Sequence, residues 1–566
     1  MNSEIKTLKD IININGEKFK NRTAFLEKSK VTKEFEKISY SKLKEDINSL
    51  GTIFLEKLKL EGEKIAVIGE NSYKWYVTYA ATVSGVGVIV PLDKELPSNE
   101  IENLINRSEA KCIVYSSKKS KFIDEIRSNL RSDMIYIEMD KPNSDESSYS
   151  FDELLSEGKN IIANGNTNYL DKKIIEEDFS VLIFTSGTTA APKGVMLSNK
   201  NLTTNINACL KIVESAGVLR YFSILPMHHT YEFMITYLNP IARGDSIAIC
   251  EGLKYIVKDM QETKPSVMVA VPLLVEKINK NINKKLKELN KEKLVKNLSK
   301  VTNFLNKVGI DVRRILFKSI NETFGGNLKY IFCGAAPIDS SMVKQMEAYG
   351  FEFLQGYGLS ETSPLVSATS LGKRDLTTVG KAVYGTKISL DLNENETVGE
   401  IMVKGDNVML GYYKDEEKTK EVLKKGWFYT GDLGYFTKAG DLVIAGRIKN
   451  VIVTKNGKNI YPEEIEFLVN KIPLVSESLI YGKENETDDT DTTVAVKVTL
   501  DKEYIDETYG QNVPSMEELH DIIWNEIKEL NRKLVTYKAI KHLEIKDGEF
   551  EKTTTMKIKR FKEISK

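Results

Sequence analysis

The stretch "VLIFTSGTTAAPKGV", Val181–Val195, decides how the rest of the chain is read. It begins within an apolar, β-branched run, "FSVLIFT" (Phe179–Thr185), which predicts a buried strand. Small residues follow: Ser186, Gly187, Thr188, Thr189, Ala190 and Ala191, then Pro192-Lys193-Gly194. Short side chains let backbone N–H groups approach an anion, hydroxyls add donors and Lys193 adds charge, so the loop has the chemistry of a phosphate cradle. A Walker A motif needs Gly immediately before the lysine and Ser or Thr after it. Here Pro192 precedes Lys193 and Gly194 follows, which excludes an ordinary P-loop. Loops of small residues also simply turn a chain, and the stretch alone leaves both readings open.

The 566 residues exceed one ordinary core, so two or more domains are expected, and 41% hydrophobic content supports globular packing. Lys+Arg and Asp+Glu both number 81, a balance that gives no basis for a nucleic-acid partner. Cys112, Cys209, Cys250 and Cys333 are far apart in sequence, which suggests neither a disulfide framework nor a zinc site and fits a reducing cytoplasm. The start, "MNSEIKTLKDIININGEKFK", lacks the apolar core of a signal peptide. "YAATVSGVGVIVPL", Tyr79–Leu92, is shorter than the ~18 residues that span a bilayer and is expected to be a buried strand or helix. A soluble cytoplasmic protein is expected, with peripheral association at the inner membrane face left open. Strand-like segments such as "EKIAVIGEN", "AKCIVYSS" and "PSVMVAVP" alternate with helical ones, which argues for an α/β fold.

Further motifs follow in order. "CGAAP" (Cys333–Pro337) comes after the strand-like "LKYIF"; "YGLSET" (Tyr357–Thr362) and "WFYTGDLGYF" come next; then "IAGRIKNVIV" and "FEKTTTMKIKR" (Phe550–Arg560). Taken singly, each reads as a turn, a helix cap or a solvated basic run. Together with "TSGTTAAPKGV" they resemble, in order and spacing, the signatures of the adenylate-forming enzymes, which include acyl-CoA synthetases, firefly luciferase and peptide-synthetase adenylation domains. The upstream "KISYSKLKED" and "GENSYKWYVTYAA" extend the resemblance over nearly the whole chain. It departs from the family at Ala190 and Met556, where Gly is usual, and at Glu551, where Pro is usual.

The resemblance implies a site and a fold. Thr185, Ser186, Gly187, Thr188, Thr189 and Lys193 would hold the ATP phosphates. Gly334, Ala335 and Ala336 would lie along the adenine edge, with Tyr357 stacked on the base and Gly358 beside it. Glu361 would bind Mg²⁺, Thr362 would contact phosphate, and Asp432 with Arg447 would hold the ribose. Lys557 would be the catalytic lysine, and His229 would lie beside the acyl site. ATP activates a carboxylate by forming an acyl-adenylate. The barrier is repulsion between anions, which preorganised donors, a metal ion and a lysine relieve. A thiol then displaces AMP. Lys557 must be present for the first step and absent for the second, and the family manages this by rotating a small C-terminal domain about a hinge, here Lys449. The expected organisation is a large, multi-subdomain adenylate-forming domain over residues 1–448 and a small, mobile α+β domain over 449–566.

Which acid and which thiol are less legible. "LPMHHTYEFM" (Leu225–Met234) falls in the region that shapes the family's acyl pocket. Its Glu232 could pair with an amino acid's ammonium, but acyl-CoA synthetases resembling this chain also carry Glu there. Between Lys277 and Lys300 stand nine Lys and two Glu, with Ile282, Leu286 and Leu289 at helical spacing. Long-chain fatty acyl-CoA synthetases have a similar helical insertion, although a solvated lysine-rich helix face gives the same pattern. The leading expectation is ATP-dependent ligation of a medium- or long-chain fatty acid to CoA. The alternatives are an acyl-AMP ligase loading an acyl carrier protein, and a nucleotide-binding sensor without catalysis. Retention of Lys557 and Glu361 weighs against the sensor.

Overall fold

The computed structural model describes residues 5–185, 192–307, 309–334, 336–372, 375–394, 396–454, 458–485, 488–552 and 557–564; residues 303, 307, 484, 485 and 488–491 are described by backbone alone. Packing divides the chain into two units. The first holds Met1–Thr185, Pro192–Ile388 and Val403–Phe428, and the second is built mainly from Ser389–Met402 and Tyr429–Lys566. The strands Thr386–Asp391, Gly399–Gly405 and Trp427–Phe436 each run across the division. The expected boundary at 448/449 names a pivot, which is a property of motion that packing does not test.

The first unit is α/β, as expected. One sheet has a parallel centre of six strands: Thr23–Lys28, Ser246–Ile249, Arg220–Ser223, Val267–Ala270, Tyr330–Cys333 and Glu352–Gly358. A second sheet sets Phe179–Thr185 parallel to Val88–Leu92, followed by Lys64–Ile68, Cys112–Tyr115, Ile135–Glu138 and Tyr149–Ser150. Its other edge is antiparallel, through Lys193–Ser198 and Gly411–Tyr412. The central strands are short apolar runs because helices cover parallel sheets on both faces. Ala66, Ile68, Val90, Ile113 and Leu182 are fully buried in one core, and Phe222, Met268, Ile331 and Phe353 in another.

The apolar stretch Tyr79–Leu92 resolves into the end of a helix, Tyr73–Val83, and the strand Val88–Leu92. Ser72 caps that helix by accepting from Trp75 N–H at 3.2 Å. The turn between the two elements passes through Gly85 at φ +131°, where a side chain would be strained. Among the described residues, no helix is long and apolar enough to cross a membrane.

The second unit is α+β. Val475–Asn485 pairs antiparallel with Asp488–Leu500, which pairs parallel with Ile540–Ile545. Helices Pro462–Val469 and Met516–Asn531 supply Ile465, Val469, Leu519, Ile523 and Ile527 to the core over these strands.

Candidate functional site

In open α/β sheets, ligands bind beyond the carboxyl ends of the strands, and the candidate residues of the first unit fall there. Phe179–Thr185 ends on Thr185, which pairs directly with Lys193 on the neighbouring strand. Ser186, Gly187, Thr188 and Thr189 lie outside the described residues. Tyr330–Cys333 runs into Gly334, and its parallel neighbour Glu352–Gly358 ends on Tyr357 and Gly358. A Cβ at Gly334 would press on the Tyr231 ring at 3.2 Å. One at Gly358 would come within 1.9 Å of the Pro364 carbonyl oxygen, so only glycine lets the two backbones meet. Ala336 follows in the same turn; Ala335 lies outside the described residues.

Glu361 and Thr362 belong to the short 3₁₀ turn Ser360–Thr362. The Thr362 hydroxyl is buried and engaged within the turn: it accepts from Leu359 N–H at 3.1 Å and donates to the Pro364 carbonyl at 2.5 Å. The half-buried Glu361 carboxylate accepts from the Tyr412 hydroxyl at 2.9 Å, and its backbone carbonyl accepts from Met409 N–H at 2.8 Å. Burial, and then the Glu361 carboxylate, push Tyr412 well above the ordinary tyrosine range, so the phenol stays a donor. Lys193 Nζ sits 4.8 Å from the centre of the same ring. Three distant chain segments therefore bring Lys193, Tyr412 and Glu361 together. Tyr412 carries no motif, and its pairing with Glu361 was not foreseen from the sequence.

His229 stands with its neighbour His228, ring centroids 3.9 Å apart, and His228 Nε2 is 3.4 Å from Asp93 at the end of Val88–Leu92. Asn71 braces this segment: its amide donates to Ser223 Oγ at 2.9 Å and the Leu225 carbonyl at 2.7 Å, and accepts from Met227 N–H at 3.0 Å. Asp93, His228 and His229 place three ligating atoms within 4.8 Å of one another, a nitrogen-rich set unlike the oxygen shell Mg²⁺ prefers. Just after them, Phe233–Leu238 winds as a fully buried π-helix, and Tyr237 Oη lies 2.5 Å from Ser223 Oγ.

Glu232, immediately before that π-helix, is completely buried, and neither of its oxygens makes a well-formed hydrogen bond among the described residues. Burial pushes its carboxyl up to about 8, with Thr236 and Ser223 pulling the other way.

In the second unit, Asp432 and Arg447 face each other across the antiparallel pair Trp427–Phe436 and Leu442–Arg447, with Arg447 Nε 2.9 Å from the buried Asp432 carboxylate. Exposed Lys449 lies in the 3₁₀ turn Ile448–Asn450. Lys557 is also exposed and sits beside Ile558, which bridges to Lys552. This segment is fastened on both sides. Lys552 pairs with Glu477 at 2.7 Å, while Arg560 holds the Glu466 carboxylate and donates to the Ile480 carbonyl at 3.0 Å.

A lysine, a tyrosine and a carboxylate thus meet beyond the strand ends of an open α/β sheet, where folds of this class bind ligands. The AMP-binding enzyme family matches residues 13–413, and the chain belongs to that family; it is an adenylate-forming ligase. The long-chain-fatty-acid–CoA ligase 5 of Mus musculus is 30% identical over 79% of this chain and 69% of its own length. A chloroplastic long-chain-fatty-acid–[acyl-carrier-protein] ligase of Arabidopsis thaliana is 26% identical over 85% of this chain and 75% of its own. The solved anthranilate CoA ligase AuaEII in complex with anthranoyl-AMP has the same fold, with a TM-score of 0.78 at 18% identity over 100% of this chain and 97% of that one.

Proposed function

We propose that this ligase belongs to the acid–thiol class and joins a medium- or long-chain fatty acid to coenzyme A, consuming ATP through an acyl-adenylate and releasing AMP and pyrophosphate. The observation that carries the choice of acid is the apolar lining of a narrow cleft in the first unit. Ile212, Val213, Ile235 and Leu354 line it, together with Cys209 and Cys333. Burial pushes both thiols up to about 12, so they serve as apolar lining and not as nucleophiles. The lining also includes Gly356, next to Tyr357, and Cys333, next to Gly334. An acyl chain following this lining would end at the turn proposed for the adenylate. Glu232 is not among the residues that line this cleft, so the lining offers an amino acid's ammonium no carboxylate.

Each residue then has a role. Thr185–Thr189 and Lys193 hold the phosphates, with Thr362 behind them. Gly334–Ala336, Tyr357 and Gly358 hold the adenine, and Asp432 with Arg447 holds the ribose. His229 lies beside the acyl carboxylate. Lys557 offsets the charge that develops as carboxylate meets α-phosphate. Glu361 is a hard oxygen donor steadied by Tyr412, and it suits Mg²⁺, which when bound would neutralise phosphate charge. Lys449 is the pivot between residues 1–448 and 449–566, exchanging Lys557 for the thiol between half-reactions.

The name of the Arabidopsis relative supports a second acceptor, an acyl carrier protein. AMP release over acids from acetate to oleate, with CoA or with carrier protein, tests both readings. Turnover that peaks at medium or long chains and requires CoA supports the proposal. A requirement for carrier protein selects the second reading, and a preference for acetate defeats the choice of acid.

A further inference from the structure

The lysine-rich stretch is helical, as its spacing suggested, and forms two helices, Pro272–Glu288 and Glu292–Lys307. The break falls at Asn290, whose φ of +53° ends the first helix in the left-handed region that asparagine tolerates. One face of the pair is accounted for. Ile278, Ile282, Val295 and Leu298 pack against the core of the first sheet, and Asn279 and Asn283 bond to Gln345 at 3.3 and 2.8 Å.

The outer face has two features that a solvated helix explains only in part. The first is charge, nine Lys against two Glu between Lys277 and Lys300. The second is uncovered apolar side chains. Leu294, Val301 and Phe304 are exposed, Phe304 at 67%, and their spacing of seven and three places them on one stripe of the second helix. Lys293, Lys296 and Lys300 run alongside on the next stripe. Leu289 is exposed at the break, and beyond the pair Ile315 is 73% exposed.

We propose that this face docks on an anionic lipid bilayer. Lysines beside an apolar stripe are the arrangement of a helix lying in a membrane interface, its apolar side chains dipping below the headgroups while the ammonium groups stay among the phosphates. Each lysine close to an anionic surface strengthens partitioning about fivefold at low salt, and the attraction fades over a Debye length of about 10 Å at 0.1 M. The apolar stripe is short, so docking is shallow and reversible. The proposal goes beyond the ligase reading and does not depend on which acid or thiol the enzyme uses.

The test is sedimentation of the full chain with phosphatidylcholine vesicles, with and without one-third phosphatidylglycerol, at low and high salt. Binding should require phosphatidylglycerol and weaken with salt. Combined Lys293→Gln, Lys296→Gln and Lys300→Gln should weaken it by about 100-fold. Val301→Ser with Phe304→Ser should weaken it several-fold at unchanged charge. Adenylation of octanoate in solution should stay normal in both variants, which shows that they fold. Three results would overturn the proposal: no binding to phosphatidylglycerol vesicles at low salt, binding indifferent to both sets of substitutions, or capture of an acidic carrier protein by this face with no lipid binding.

Discussion

Asp432 and Arg447 are brought together by one antiparallel strand pair, so their 2.9 Å contact follows from register alone. Lys193, Tyr412 and Glu361 come from three separate parts of the chain and meet because the first unit folds around them. A pair set by local register can lose a charge without losing its frame. A cluster set by tertiary packing couples each member to the others, so a small change to one is felt by the rest.

The largest expected effects set a baseline outside this comparison. Lys557→Ala should slow adenylation by roughly 100-fold or more, the usual scale for removing a preorganised charge, and spare thioester formation from supplied acyl-adenylate. Lys449→Pro should do the opposite, because proline fixes φ near −65° and blocks a dihedral change. Pyrophosphate exchange and CoA-dependent AMP release, measured side by side, separate the two. Equal losses in both half-reactions would remove Lys557 from its role, and normal CoA turnover would remove Lys449 from its own.

Asp432→Asn tests the local pair. The side-chain shape and one acceptor remain, so the thermal midpoint should barely move while the KM for ATP rises about tenfold, the scale of a lost charge-assisted hydrogen bond. A collapse in stability would show that the hairpin is not self-sufficient. Tyr412→Phe tests the distributed cluster. It keeps the ring beneath Lys193 and deletes the donor to Glu361, so kcat/KM should fall about threefold to tenfold and half-saturation should need more Mg²⁺. An unchanged Mg²⁺ dependence would mean that Tyr412 does not steady the metal ligand.

The smallest effect on activity is expected at Glu232, where the contrast with Glu361 is sharpest. The folded chain raises the Glu232 carboxyl to about 8 from an ordinary 4.5, so the folded state holds a proton there that the unfolded state has released. Stability is therefore fully present below pH 4.5 and is lost as pH rises through about 8, at up to about 1.4 kcal/mol per pH unit. Glu232→Gln should remove that slope, so its thermal midpoint should exceed the parent's by a margin that widens from pH 5 to pH 8.5. Parallel curves would place the proton elsewhere.

Much of the frame was legible because it is written in local pattern. Phe179–Thr185 was bounded to the residue, since a β-branched run stops where small residues begin. "LKYIF" and "PSVMVAVP" likewise became central parallel strands. The partner of Glu361 was not legible: Tyr412 lies 51 residues away with nothing in its neighbours to mark it. Asp93 beside His228 was hidden for the same reason. The break at Asn290 was missed because apolar periodicity says where a helix faces and little about where it stops. Ser186, Gly187, Thr188, Thr189 and Ala335 rest on motif alone.

The buried π-helix Phe233–Leu238 has a consequence for how such an enzyme changes over evolutionary time. An i→i+5 turn holds one more residue than the α-helical turn it replaces, so losing a single codon there can restore an α-helix. Because the extra residue is absorbed within the turn, the helix beyond keeps its facing and the change is confined to Phe233–Leu238, whose Ile235 lines the apolar cleft. Substrate range can thus shift by one deletion instead of a series of substitutions, while the strands on either side keep their places.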